Sequence, residues 1–225
     1  LLVFAIKGAL VPLQFWLPGT YAAAPGPVAA LFAVMTKVGA YAVIRVYTLI
    51  FPPAAPAIGP MIGDVLLPAA LVTLVIGAIG VMGAGTLARL VAFAAIASMG
   101  TLFTAVALFT PQGTAAALYY LLHSTFAAAI LFLLADLVLS RRGAGTLRQA
   151  LPPVAQSGLL AALFFAGAIA LAGMPPLSGF IGKLLILQAA RDQIATVWPV
   201  ILATSLLMIL GFAAAGSTLF WKAHA

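Results

Sequence analysis

Residues 157–190 read SGLLAALFFAGAIALAGMPPLSGFIGKLLILQAA. As one continuous helix this run would measure about 51 Å at 1.5 Å per residue. The hydrocarbon core of a bilayer is only about 30 Å thick. Near its middle stand Gly173, Pro175 and Pro176. Proline removes a backbone donor and clashes with the preceding turn. The spacing therefore predicts one membrane segment broken near 171–178. Lys183 follows just past the break. Irregular backbone at membrane depth is tolerated only where protein or a water-filled cavity surrounds it. Its freed carbonyls and helix ends bind ions or water.

The rest of the chain has the same character. It is 65% hydrophobic and 6% charged, where soluble domains carry roughly a quarter charged residues. This places the chain among polytopic membrane proteins, an all-α helix bundle forming a single membrane domain over 1–225. The apolar runs are continuous rather than alternating, which argues against a β-barrel. There is no cysteine, which excludes disulfides, thiolate metal sites and cysteine nucleophiles. Asp64, Asp136 and Asp192 are the only acids. The net charge of +7 comes from scattered basic residues between apolar runs, so nucleic-acid binding is not expected. The opening LLVFAIKGAL has neither Met nor a basic n-region. It reads as the interior of a helix in a longer protein, not a signal peptide.

Proline and glycine clusters and charges mark the boundaries. They give about seven segments, 1–16, 27–50, 65–84, 88–109, 113–139, 157–190 (broken) and 197–219, with LPGTYAAAPGP and FPPAAPAIGPMIGD among the loops. A second discontinuity is expected near 8–18, around Pro12. VPLQF there faintly echoes PPLSGF in the later break, which suggests an internal repeat. Alternating crossings put Arg89, Arg141, Arg142, Arg148 and Lys222 on one side, and Asp64, Arg191 and Asp192 on the other. By the positive-inside rule the first side is the cytoplasm.

The same boundaries give depths. Lys7, Lys37, His123 and Lys183, from four segments, fall roughly 11–15 Å from the nearest boundary. An ammonium there costs at least about 2.5–3.5 kcal/mol. A single such lysine is often structural; a row at one depth, bridged by water and a neutral histidine, makes a proton path. Arg45 reads as a snorkelling residue and Asp136 as an interfacial ion-pair partner. Ser98, Ser124, Thr125, Ser178 and Thr36 are supporting polar groups, although a lone Ser or Thr in such a helix usually bonds its own backbone. Trp16, Trp198 and Trp221 read as interfacial anchors. Nothing supports covalent catalysis. GAGTLARL lacks the lysine and spacing of a phosphate loop, and two histidines make no metal site. No cofactor is expected, and a transporter subunit is favoured over an enzyme.

KGALVPLQFWLPGTYAAAPGPVAALFAVMTKVGAYAVIRVYTLIF, LARLVAFAAIASMGTLF, YYLLHSTFAAAILFLLADLV and LAGMPPLSGFIGKLLIL, in this order, resemble the proton-conducting antiporter-like family. That family includes the large membrane subunits of respiratory complex I and the A and D subunits of Mrp-type cation/proton antiporters. The AGSTLFWK ending, with the first and third stretches, is most similar to the D-subunit branch. The resemblance implies an inverted-repeat fold of about fourteen helices, of which this chain holds helices seven to thirteen. It implies that Lys7, Lys37, His123 and Lys183 are the relay positions of helices seven, eight, eleven and twelve, with Lys183 the terminal station of a half-channel. The acidic partner of Lys7 would lie upstream of residue 1. Ser98 and Ala127 stand where some relatives carry ionisable groups, so water has more of the relay to bridge. The implied partners are the bilayer, the other subunits of a hetero-oligomeric complex, H⁺, and Na⁺ or K⁺, in a bacterial inner membrane. A complex I or membrane-hydrogenase subunit is the alternative, and a scaffold with structurally paired lysines is another.

Overall fold

The computed structural model describes residues 2–50, 59–149, 151–153 and 155–222. Its helices are α1 (Leu2–Lys7), α2 (Trp16–Ala23), α3 (Gly26–Leu49), α4 (Gly59–Gly83), α5 (Leu87–Ala107), α6 (Pro111–Arg142), α7 (Ser157–Ala172), α8 (Ser178–Ala189) and α9 (Ile194–Gly216), with a π turn at Ser217–Trp221. Within α3, α4, α5, α6 and α9 are stretches long and apolar enough to cross a membrane. The pairs α1–α2 and α7–α8 are the two interrupted segments. The chain is thus a multi-pass helical membrane protein, as its composition predicts.

Local chemistry sets the helix ends. Thr86 caps α5 by accepting from the Arg89 N–H at 3.4 Å, and Thr110 caps α6 by accepting from the Gly113 N–H at 2.9 Å; Pro111 then occupies the first turn of α6, where its missing donor costs nothing. α6 stops at Gly143, whose φ of 70° is left-handed, the usual glycine exit. At the centre stands α5, with 94% of its apolar window buried, against α2, α3, α4, α6, α8 and α9. Small residues permit that packing. A methyl at Gly77 would run into the Ala97 backbone, and one at Gly100 into that of Leu74. The outer faces carry exposed Leu31, Leu122, Phe126 and Leu206, as a lipid-facing surface requires.

Both predicted discontinuities are present. In the first, residues 8–15 are turns between α1 and α2. Pro12 lies within it, and the freed Val11 N–H donates to Thr73 Oγ1 of α4 at 2.9 Å. In the second, residues 173–177 separate α7 from α8; Gly173 ends α7 with φ 80°, followed by Pro175 and Pro176. The boundaries differ in three places. The stretch expected to be loop after residue 16 contains α2: Pro18 falls in its first turn, where proline is tolerated, and Pro25 follows its end. α4 begins at Gly59 rather than 65, with Pro60 again in the first turn. α9 begins at Ile194 rather than 197. Trp16 is accordingly no boundary anchor; its Nε1–H donates to the Ile6 carbonyl across the first break at 3.2 Å.

Candidate functional site

Ending α7 at Gly173 deprives carbonyls of its last turn of their usual partners four residues on; Ala170 keeps only a 3.2 Å bond from the Gly173 N–H. Two of them hold the ionisable residues. Lys183 folds back from α8, and its Nζ donates to the Ala172 carbonyl at 2.7 Å and to Ser205 Oγ of α9 at 2.7 Å. The stem lies over Gly173: a Cβ there would stand 2.6 Å from Lys183 Cδ. Glycine is required twice at this position, for its φ and for the lysine.

His123 of α6 reaches the same turn. Its Nε2 lies 3.0 Å from the Ala170 carbonyl and its Nδ1 2.8 Å from Ser178 Oγ. A carbonyl only accepts, so Nε2 carries hydrogen. Nδ1 then accepts the Ser178 hydroxyl hydrogen when the ring is neutral and donates to the same oxygen when it is charged. Ser178 serves both states by turning its O–H. It sits exposed at the start of α8, linking the buried histidine to the surface of the break.

Lys37 of α3 is 2% exposed. Its Nζ donates to Ser98 Oγ of α5 at 2.8 Å and lies 3.2 Å from Met99 Sδ. Lys183 and His123 thus meet on the last turn of α7, at the Ala172 and Ala170 carbonyls. Tyr120 fills the space beside them, its ring centroid 5.8 Å from that of His123 and its hydroxyl facing Thr101. Neither lysine has a carboxylate: among the described residues no salt bridge forms within 4.0 Å. Each makes two donor bonds to neutral groups, and a neutral amine has two hydrogens to give. These bonds therefore do not demand an ammonium.

The structure buries three of the four residues of the expected row and brings two of them, His123 and Lys183, to one helix end. Lys7 stands apart at the end of α1, exposed on this chain and facing a small cavity beside Thr36 and Tyr21. Of the supporting groups, Ser98 and Ser178 bond the ionisable residues. Ser124 and Thr125 bond the Leu121 carbonyl of their own helix, and Thr36 that of Ala33. Among the described residues Asp136 has no ion-pair partner. The neighbouring Arg142 donates instead to the Leu151 and Leu219 carbonyls, and Arg141 to Ala155 and Gln156. Sequence reasoning missed Ser205, Met99 and the carbonyls of Ala170 and Ala172.

Buried lysine and histidine side chains against a broken membrane helix define a class: multi-pass membrane proteins with discontinuous helices. The chain belongs to the NADH:quinone oxidoreductase/Mrp antiporter transmembrane family, whose profile matches residues 1–211. It is 37% identical to the D subunit of the Na⁺/H⁺ antiporter of Bacillus subtilis (strain 168) over 93% of this chain and 42% of the relative. It is 38% identical to the D subunit of a probable K⁺/H⁺ antiporter of Rhizobium meliloti (strain 1021), over 84% of this chain and 39% of the relative. Among solved structures, a chain of the Mrp complex from Dietzia sp. DQ12-45-1b superposes with a TM-score of 0.88 at 34% identity, covering 96% of this chain and 40% of that one. The chain thus spans about two fifths of the length of the relatives it matches.

Proposed function

We propose that this chain, as one membrane domain, is part of the proton-translocating subunit of a multisubunit Na⁺ or K⁺/proton antiporter. The subunit sits in a bacterial cytoplasmic membrane with its partner subunits. Its Arg89, Arg141, Arg142, Arg148 and Lys222 face the cytoplasm. The observation that carries this reading is Lys183, buried on the helix break and bonded only to a freed carbonyl and a hydroxyl. Protons pass along Lys7, Lys37, His123 and Lys183, with water between the stations. Each charge moved through the membrane potential carries about 2.3 kcal/mol per 100 mV, and that energy drives cation export. The likeness to two D subunits named as cation/proton antiporters favours this over a redox-driven pump.

Lys183→Ala in the full-length subunit tests it, with antiport measured in everted vesicles and assembly followed on native gels. The expected result is an assembled complex without antiport. Full retained activity rejects the role. Deletion of the gene separates the branches: sodium sensitivity with intact respiration supports the antiporter, and loss of quinone-dependent membrane potential supports a complex I-type pump.

A further inference from the structure

Two cavities on the α2–α3 side of the molecule share one wall, and that wall is Tyr21. The first, about 170 Å³, is lined by Asp136, Tyr21, Thr86 and Gly145 among others. It lies at the end where Thr86 pairs with Thr146 and Arg148 lies over Gly85. The second, about 130 Å³, is lined by Lys7, Thr36, Trp16 and Tyr21. Water takes up about 30 Å³ per molecule in the liquid, so the first, with Asp136 and Thr86 in its wall, has room for several; the second has mostly apolar walls, and Lys7 and Tyr21 face it directly. The Tyr21 hydroxyl donates to the Phe32 carbonyl at 2.6 Å, beside Thr36; Phe32 and Thr36 both line the second cavity, so the hydroxyl lies on that side of the shared wall.

Asp136 is half-buried and has no counter-ion among the described residues. Arg141 and Arg142, on its own helix, turn to carbonyls and Gln156. Arg89 of α5 is exposed and lines a different cavity with Gln14. Arg148 lies across Gly85, and Lys37 of α3 is bonded to Ser98. Among the described residues, Tyr21 is the only other titratable group in the cavity wall. The Asp136 carboxylate instead lies against the start of α3: a Cβ at Gly26 would stand 2.9 Å from Oδ2. A helix N-terminus favours a negative charge there, which holds the carboxylate in place without occupying it as a lysine would.

We propose that Asp136 and Tyr21 form a proton-uptake branch leading to Lys7, resting on the antiporter reading above. A proton from the aqueous side converts the carboxylate to the acid. The acid passes it through cavity water to the Tyr21 oxygen as Tyr21 releases its own proton toward Lys7. The neutral amine becomes an ammonium, and carboxylate and phenol are restored. Tyr21 must leave the Phe32 carbonyl to do this, so the hydroxyl is also the gate.

The test uses the full-length subunit in the assembled complex, with antiport followed in vesicles across pH. Asp136→Asn is expected to slow antiport by about tenfold or more. It also moves the alkaline limb of the profile to lower pH, because uptake fails sooner as protons become scarce. Asp136→Glu restores both. Tyr21→Phe slows antiport likewise, and the double variant is no slower than the slower single. A wild-type rate and profile in Asp136→Asn, where Lys183→Ala is inactive, overturns the branch and leaves the antiporter reading standing. If Lys183→Ala also retains full activity, the antiporter reading itself falls. Should Asp136→Asn fail to assemble, an unaltered rate in Tyr21→Phe overturns the branch.

Discussion

At the scale of single residues, the question for Lys183 is whether it carries a charge or exchanges a proton. Lys183→Arg separates the two. Arginine keeps the cation and can reach the Ala172 carbonyl and Ser205, but it stays protonated under all working conditions. The expected outcome is an assembled complex with antiport lost as fully as in Lys183→Ala; substantial antiport in vesicles would make the residue a structural cation. Ser205→Ala removes one of its two partners. A hydrogen bond to a charged group is worth about 1.5–3 kcal/mol, so the rate is expected to fall by about ten- to hundredfold, less than for Lys183→Ala. The lysines and the histidine were legible in the sequence because ionisable groups at membrane depth are costly. Ser205 was not. A serine in a membrane helix satisfies itself on its own backbone, and Ser205 does so with Ile201 at 2.7 Å while also accepting from Lys183. Carbonyl partners such as Ala172 leave no mark in a sequence at all.

At the scale of elements, the second break is a packed device. Gly179, in the first turn of α8, touches the Ala170 carbonyl so closely that a methyl would collide with it and would stand 2.8 Å from His123 Nε2. Gly179→Ala must push α8 away from α7 and displace the histidine. Overpacking of this kind costs about 1–3 kcal/mol, and antiport is expected to be lost or strongly reduced, with lower thermal stability in detergent. Gly158→Ala, on α7 with nothing within 4 Å, is the control and should leave both unchanged. Wild-type behaviour in Gly179→Ala would mean the break is loose. The sequence showed both breaks, because Pro12 and the Gly173–Pro176 cluster fall inside runs too apolar to be loops. It misplaced α2 and the start of α4 for the converse reason: Pro18 and Pro60 look like loop residues but occupy first turns, where helices accept proline. VPLQF and PPLSGF do mark two breaks, yet Lys7 ends the half-helix before the first and Lys183 lies in the half-helix after the second. The two breaks share proline but not the placement of charge.

At the scale of the whole molecule, the bundle gathers its basic ends. The Leu87 N–H donates to the Gly145 carbonyl at 2.8 Å and the Leu147 N–H to that of Gly85 at 3.0 Å, which ties the start of α5 to the connection after α6. Arg142 bonds the Leu219 carbonyl at 3.3 Å, which brings the end of α9 to the same place. Arg89, Arg141, Arg142 and Arg148 are therefore on connections that meet, with Lys222 three residues beyond Leu219. Arg191 and Asp192 lie at the far end of the broken α7–α8 segment. If α7 and α8 form one interrupted crossing, it separates Gln149 from Ala195, both exposed, so a cysteine at either site reports sidedness. In a full-length subunit otherwise free of cysteine, a membrane-impermeant maleimide should label Ala195→Cys in intact cells and Gln149→Cys only in everted vesicles. The reverse pattern would place the basic end outside and invert the direction of proton uptake at Asp136. Labelling of both from one face would mean that α7 and α8 form a re-entrant pair rather than one interrupted crossing. Lys183 would then sit at the tip of a hairpin, and proton transfer along the row would have to end on the side where it began.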